Sequence, residues 1–497
     1  MRIALISPYS DIFTPGLRSI SAYLRANGVD TRLIFIPNLY VHRVLEEFLE
    51  PYNSDVLRGA TELCRDVDIV AVSLSTNLYN RAVQLTSYLK KRIDVPFVWG
   101  GIHATIRPEE CLEHADIVVI GEGEETMLDI AKRQADPAAC MEIPNVCIKT
   151  NDGIRKNPVR PLIQDLDSLP APDFDNPDYN VFDPDVGKFV VPDLRMLLRL
   201  HGKGPSHGKN YQKYLAITTR GCPFSCAYCV NDVLVKLYGR KGYIRRRSVE
   251  AIISELQAIR NRYEFINRIV IFDDSFLAGP TEWIEGFAAR YKESINLPLF
   301  CMSSPSNLSK RKLDALVDAG LTTIQVGIQT GSDRINEIYN RAAKNADVVE
   351  AAELLNGYAD RLRPLYDIIV DNPYETHADR METVKLMMKI KKPFSIQLFS
   401  LTMFPGTEIC ERAKRDGLVE DEMKEVYNKF YMEPDGKFTT LLLSLVNRGA
   451  PSWLMRLLTR DSVSRLLSGL WLGPMYKALY VLNLKLGSLK DRVTRRV

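Results

Sequence analysis

Residues 214–232 read YLAITTRGCPFSCAYCVND, and the rest of the chain is best understood outward from them. The opening YLAITT (214–219) is an apolar, β-branched run of strand length, stopped by Arg220-Gly221. Directly behind it come Cys222, Cys226 and Cys229, separated by three and then two residues. Three thiols on one short loop can converge on one centre. Zinc sites usually take four ligands in two pairs, and no second CxxC or HxxxH occurs in the chain. A four-iron cluster held by three thiolates leaves one iron open to another ligand, and an open iron suits chemistry. The alternative is a closed zinc or electron-transfer site completed by a distant fourth cysteine.

Downstream the strand pattern repeats. RIVIFDD (268–274), LPLFCM (297–302), TTIQVGIQ (322–329), LYDIIV (365–370) and FSIQLFS (394–400) read as strands. Helical stretches at Val249–Arg262, Thr281–Ser294, Ser309–Ala319, Ala346–Tyr358 and Arg380–Lys391 separate them. Six strands with five crossing helices predict a partial (β/α)6 TIM-like barrel over residues 214–420. Its chemistry belongs at the carboxyl ends of the strands, and the cysteine trio follows the first of them.

Upstream, over residues 1–150, RIALI (2–6), TRLIFI (31–36), DIVAVS (68–73), PFVWGG (96–101) and DIVVIGEG (116–123) are nearly continuous apolar runs. Such runs are the mark of parallel strands covered on both faces. Amphipathic stretches at Gly16–Ala26, Asp55–Arg65, Asn80–Arg92, Pro108–Glu113 and Glu124–Arg133 alternate with them, which predicts a doubly wound, Rossmann-like α/β domain. A ligand would meet the strand ends at Ser7, Ser73, Ser75, Gly100, Gly101, His103, Gly121, Glu122 and Gly123. Residues 151–213, rich in Pro, Asp and Gly and without a clear period, read as a linker.

At 497 residues the chain exceeds one ordinary core, so two or three domains are expected. With 46% apolar and 26% charged residues it is neither disordered, collagen-like nor a polytopic membrane protein. The first ten residues lack the long apolar run of a secretory signal, which points to the cytoplasm. Six further cysteines are isolated and form no disulfide framework. The net charge of +3 hides an asymmetry. Residues 448–497 carry ten basic and two acidic side chains, net +8, leaving −5 for the other 447. A neutral body with a basic tail argues against broad nucleic-acid binding. The tail, part of a helical region over 421–497, holds two amphipathic runs at 454–472 and 475–487, broken at Gly473-Pro474. These read either as a cap on the barrel or as an interfacial pair making peripheral contact with anionic lipid. Lys477 and Lys485 interrupt the apolar stretch too often for a transmembrane span.

TTRGCPFSCAYCVND resembles the cluster loop of radical S-adenosylmethionine (SAM) enzymes. GIQTGSD (327–333), Asp371-Asn372-Pro373 and the FPGT of Phe404–Thr407 follow that family's order. The resemblance implies a 4Fe-4S cluster on Cys222, Cys226 and Cys229, whose open iron chelates SAM. One electron, from a donor such as flavodoxin or ferredoxin, then yields a 5′-deoxyadenosyl radical. It places Tyr228 against the adenine. Asp273 and Asp274 stand where many members have Gly-Gly-Glu for the methionine amino group. Ser303 and Ser304 would face the ribose or carboxylate, with Gln329 and Ser332 as further SAM contacts.

GGIHATIRPEE (100–110) followed by IGEGEE (120–125) resembles the cobalamin-binding domain that often precedes such a barrel. The strand-end residues named above become cobalamin contacts, with His103 at the tail or corrin edge. The DxHxxG that supplies a cobalt-ligating histidine is missing from the Pro8–Gly16 loop, so none is expected beneath the metal. Together the resemblances imply a cobalamin-dependent radical C-methyltransferase acting on an unactivated carbon of a small-molecule or lipid-like substrate, via methylcobalamin. Radical rearrangement or oxidative cyclisation uses the same two modules. A non-catalytic cofactor-binding regulator is the alternative from another class, disfavoured by the intact trio.

Overall fold

The computed structural model describes residues 1–9, 11–37, 50–201, 211–341, 343–429, 431–432, 434–469 and 472–482. The chain forms two compact units. One comprises Met1–His201, Cys229–Arg247 and Met403–Phe430, the other Gly202–Tyr228, Ser248–Thr402 and Tyr431–Val497.

The first unit is built on a nine-stranded sheet. Its strands are β1 (Arg2–Ser7), β2 (Asp30–Phe35), β3 (Ile69–Ser73), β4 (Phe97–Gly100), β5 (Ile117–Val119), β6 (Val146–Thr150), β7 (Gly153–Lys156), β8 (Tyr179–Asp183) and β9 (Lys188–Val190). Their order is β7-β6-β5-β4-β3-β1-β2-β8-β9. β1 pairs parallel with β2 on one side and β3 on the other, so the winding reverses between β1 and β3. Ile3, Ala4, Leu5 and Ile6 are almost wholly buried, as a strand covered on both faces must be. The helix Pro15–Ala26 starts on a proline, whose missing N–H is no loss in a first turn, and buries Leu17 and Leu24 in the core with Ile3, Leu5 and Leu33.

Residues 151–201, read from sequence as connection, instead supply β7, β8, β9 and the helix Leu194–His201. β8 extends the sheet parallel to β2. The polar residues that make this stretch look like a loop are buried and paired. Asp173 accepts from Ser21 Oγ at 2.5 Å and from Arg25 at 2.8 Å, and Asn176 Nδ2 donates to Thr31 Oγ1 at 2.9 Å. Arg18, 1% exposed, donates to the Asp173 carbonyl and lies 4.1 Å over the Phe174 ring. Composition reads side chains one at a time, whereas burial of a polar group depends on its partner.

The second unit holds six parallel strands: β10 (Lys213–Ala216), β11 (Arg268–Ile271), β12 (Leu299–Ser303), β13 (Leu321–Gln329), β14 (Arg363–Val370) and β15 (Ser395–Ser400). They lie in sequence order, the arrangement of a partial β/α barrel. Between them run the helices Val249–Arg262, Thr281–Ser294, Lys310–Asp318, Asn345–Asn356 and His377–Lys389. The first is capped by Ser248 Oγ, which accepts from Ala251 N at 3.1 Å, and ends with Arg260 and Arg262 beside its negative pole.

Residues 403–420, read as the end of the barrel, are part of the first unit, as are 229–247. Within that unit Arg107 pairs with Glu422 at 3.0 Å, and Tyr427 Oη donates to Glu110 at 2.6 Å. The tail returns to the second unit, where the helix Phe438–Arg448 buries Leu442 and Leu443.

Candidate functional site

In the second unit the cysteine loop leaves β10 and is anchored from behind. Ala227 N donates to the Tyr339 carbonyl and Asn340 Nδ2 to the Ser225 carbonyl, each at 2.9 Å. The Tyr228 ring stands edge-on to Tyr339 with centroids 4.9 Å apart. Cys222 and Cys226 are buried. Arg341 joins three parts of the site: its guanidinium donates to Cys226 Sγ at 3.8 Å, to Tyr228 Oη at 2.9 Å and to the Gly327 carbonyl at 2.7 Å. In the first unit, Cys229 opens the helix Val230–Tyr238, and Asn231 Nδ2 donates to its sulfur at 3.7 Å. The donor set suits a cluster: thiols with N–H donors on sulfur, which is how a thiolate is stabilised. Among the described residues no three His, Cys, Asp or Glu side chains converge closely enough to hold one metal ion. A four-iron cluster makes no such demand, because its thiolates each bind a different iron.

Asp273, expected at the methionine amino group, faces the base of the loop. Its Oδ1 accepts from Thr218 N at 2.7 Å and Thr219 N at 3.1 Å, and Oδ2 accepts from Thr218 Oγ1. Burial pushes its carboxyl up to about 6 against the pull of those bonds. Asp274 is exposed. Ser303 and Ser304 are buried at the end of β12, with Ser303 Oγ donating to the Ser304 carbonyl at 3.1 Å. Ser332 donates to Asp379 at 2.6 Å and caps the helix Asp333–Ile338, so its hydroxyl serves the fold. Gln329 ends β13 with φ of 71° at a shift in the β13–β14 register, and its buried Oε1 has no partner.

Two residues missed from sequence complete this group. Asp367 lies mid-strand in β14, beside Gly327 in the register. Its Oδ2 accepts from Gln325 Nε2 at 2.7 Å, its Oδ1 has no partner, and burial pushes the carboxyl up to about 7. Arg341 is the other, and its Nε is likewise buried without a partner. Unpaired buried acceptors and a donor of this kind are rare in a finished core. They fit a ligand carrying an ammonium, a carboxylate and a nucleoside, as SAM does. No local motif marks either residue, since what matters is a register and a contact between distant segments.

In the first unit the reversal between β1 and β3 defines the crevice where doubly wound sheets bind ligands. Ser7 and Ser73 end these two strands, and Ser75 and Gly100 follow alongside. Ser7 Oγ pairs with Thr14 Oγ1 at 2.9 Å and Ser75 Oγ donates to Asn77 at 2.6 Å. A Cβ on Gly100 would meet nothing closer than Val119 at 3.9 Å, so backbone here is open to close approach. These small residues fit a corrin and its tail.

The other expected contacts are committed within the unit. A Cβ on Gly101, whose φ is +93°, would lie 2.7 Å from the Leu74 carbonyl oxygen. One on Gly121 would overlap the Tyr238 hydroxyl, and one on Gly123 would lie 2.9 Å from Ile20 Cδ1. Glu122 is clamped by Arg245 at 2.8 and 2.9 Å. His103 is wholly buried: its Nδ1 pairs with Thr76 Oγ1 at 3.1 Å, and the ring packs against Tyr79 and Tyr427. Its sequence position beside two glycines resembled a ligand contact, but the side chain points into the protein.

The chain carries two family domains: residues 1–131 match the family model described as B12 binding domain and residues 216–387 that of the Radical SAM superfamily. It is therefore an enzyme whose cofactors are a 4Fe-4S cluster, SAM and cobalamin. An uncharacterized methyltransferase of Pyrococcus horikoshii is 26% identical over 71% of this chain and 71% of its own. Bacteriochlorophyllide d C-8(2)-methyltransferase of Chlorobaculum tepidum is 21% identical over 80% and 77%. Among solved structures, the radical SAM methyltransferase TsrM of Kitasatospora setae shares the fold with a TM-score of 0.62 at 16% identity, over 84% of this chain and 77% of that one.

Proposed function

We propose that the protein is a C-methyltransferase that uses the two modules in one reaction on a small-molecule or lipid-like substrate. The observation that carries this is the pairing, in one chain, of an anchored three-cysteine loop with an open switch-point crevice. The two relatives named as methyltransferases support it. When bound, the cofactors supply a reducing electron, a 5′-deoxyadenosyl radical and a methyl group. The chain's part is positional. Cys222, Cys226 and Cys229 hold the cluster, while Arg341 and Asn231 steady two of the sulfurs. Asp367 Oδ1 and Gln329 Oε1 accept from the amino acid and ribose of SAM, and Tyr228 lies against its adenine. Ser7, Ser73, Ser75 and Gly100 line the cobalamin crevice. A flavodoxin or ferredoxin in the cytoplasm supplies the electron.

The test is product analysis with methyl-deuterated SAM, anaerobically reconstituted protein and metabolite extracts. Transfer of label to an extract component, with 5′-deoxyadenosine and S-adenosylhomocysteine released in equal amounts, is expected. Replacing the three cysteines by Ala abolishes both products. Release of 5′-deoxyadenosine alone would establish oxidative cyclisation instead if the unlabelled product has lost two hydrogens, or rearrangement if it is an isomer of the substrate.

A further inference from the structure

Beyond Phe438–Arg448 the second unit carries two short helices, Ser452–Leu458 and Asp461–Gly469, and a helical stretch over 473–482. Met455 is buried in the first and Ser464 in the second. Ser464 Oγ meets His377 Nε2 at 3.1 Å, and Tyr476 donates to the Leu467 carbonyl at 2.8 Å with its ring against Phe438. A cap serving only the barrel would turn its large apolar side chains inward. Here Trp453 is 65% exposed, Leu466 65% and Leu482 51%, with Leu457, Met475 and Leu479 also exposed.

The basic residues share these faces. Arg456 and Leu457 stand three and four residues beyond Trp453, so these three lie along one side of the helix Ser452–Leu458, and Arg460 follows just beyond its end. Among the described residues from 448 onward, Arg448, Arg456, Arg460, Arg465 and Lys477 are all exposed, against one acidic residue, Asp461, which pairs with Lys385 at 3.8 Å. Bulky apolar groups interleaved with long cationic ones match a bilayer interface, where the rings and leucines enter the acyl boundary and the cations reach the headgroups. No helix among the described residues is long and apolar enough to cross a membrane.

We propose that this surface docks the enzyme on an anionic lipid bilayer, so that its substrate is a molecule resident in that bilayer. The charge is what selects the occupant. A second copy of the chain would bring like charges against like, and a neutral apolar partner would offer the four arginines no counter-charge. The proposal deepens the lipid-like arm of the reading above, yet docking requires neither cofactors nor turnover, so the two can fail separately.

The test uses the full chain in sedimentation with vesicles of phosphatidylcholine alone or mixed equally with phosphatidylglycerol, at low and high salt. Binding to the anionic vesicles that weakens as salt rises is expected. Arg456→Glu, Arg460→Glu and Arg465→Glu together should lower the partition coefficient by roughly 100-fold, and Trp453→Ser with Leu466→Ser should lower it at every salt concentration. In the unaltered protein, brominated lipids should quench tryptophan emission, a readout independent of whether the variants fold. Absence of anionic-vesicle binding, or equal binding to both vesicle types, would overturn the proposal. So would concentration-dependent dimerisation in ultracentrifugation that the arginine reversals strengthen. Methyl transfer without vesicle binding would overturn this inference alone and leave the reaction assignment standing.

Discussion

Arg341→Gln should make the cluster harder to reduce. The guanidinium donates to the Cys226 sulfur and to Tyr228 Oη, and it is held in place by the Gly327 carbonyl. Reduction adds one negative charge to the centre that Cys226 helps to hold, so a buried cation at its sulfur favours the reduced form. A hydrogen bond to a charged group contributes about 1.5–3 kcal/mol. For a one-electron couple that is roughly 65–130 mV, at about 59 mV per tenfold change. The variant's midpoint potential should therefore fall by up to that amount in a redox titration followed by electron paramagnetic resonance. Arg341→Lys keeps a charge but loses the planar fork that spans sulfur, phenol and carbonyl, so its potential should lie between the two. Iron and sulfide content must stay unchanged for the comparison to hold. An unchanged potential in a fully loaded Arg341→Gln protein would refute the argument and leave Arg341 as a strut of the loop.

Two further outcomes follow from geometry. Asp367 is held above its ordinary range by burial, so the folded state binds its proton more tightly than the unfolded state does. Its contribution to stability is complete below about pH 4 and is lost as pH rises through about 7. Asp367→Asn should therefore raise Tm relative to the parent at pH 8 more than at pH 5, and an equal change at both would refute the assignment. Gly121→Ala should destabilise the first unit by about 2 kcal/mol or more, since its φ is +78° and the Tyr238 hydroxyl occupies the space of the new Cβ. Tyr238→Ala should recover part of that loss, and strictly additive effects in thermal melts of the double variant would show that the clash is absent.

Strands buried on both faces are legible because their runs are apolar, and Ile3–Ile6 or Ile269–Ile271 need no partner to be recognised. The cysteine loop was equally plain, since its ligands are close in sequence. Legibility failed where the physics depends on a pairing. Asp173 and Asn176 look like loop residues until Ser21, Arg25 and Thr31 are seen to satisfy them. Asp273 and Ser332 carry the polar groups a cofactor would want, yet both are engaged by neighbouring backbone and side chains. Arg341 lies 115 residues beyond Cys226 with no motif around it. The glycines of 121–123 signalled close approach correctly, but the approaching atoms belong to Tyr238 and Ile20.

The first unit is assembled from three separated stretches of chain, the last ending at Phe430. Tyr238 and Arg245, which cover the Gly121-Glu122 turn, are made after the nine-stranded sheet, and Tyr427, which bonds Glu110, is made nearly last. On the ribosome, at about 5–20 residues per second, the sheet waits roughly 12–47 seconds between its final strand and its final buttress. Through that interval Arg18 and its aromatic neighbours can already be in place, while Glu122, Glu110 and Arg107 still lack Arg245, Tyr427 and Glu422. A nascent chain in this state presents a formed sheet with an unfinished edge, the species that chaperones retain. Cutting the gene after the sheet would make that transient species permanent, so the cobalamin-binding half is not a module that can be lifted out and grafted elsewhere.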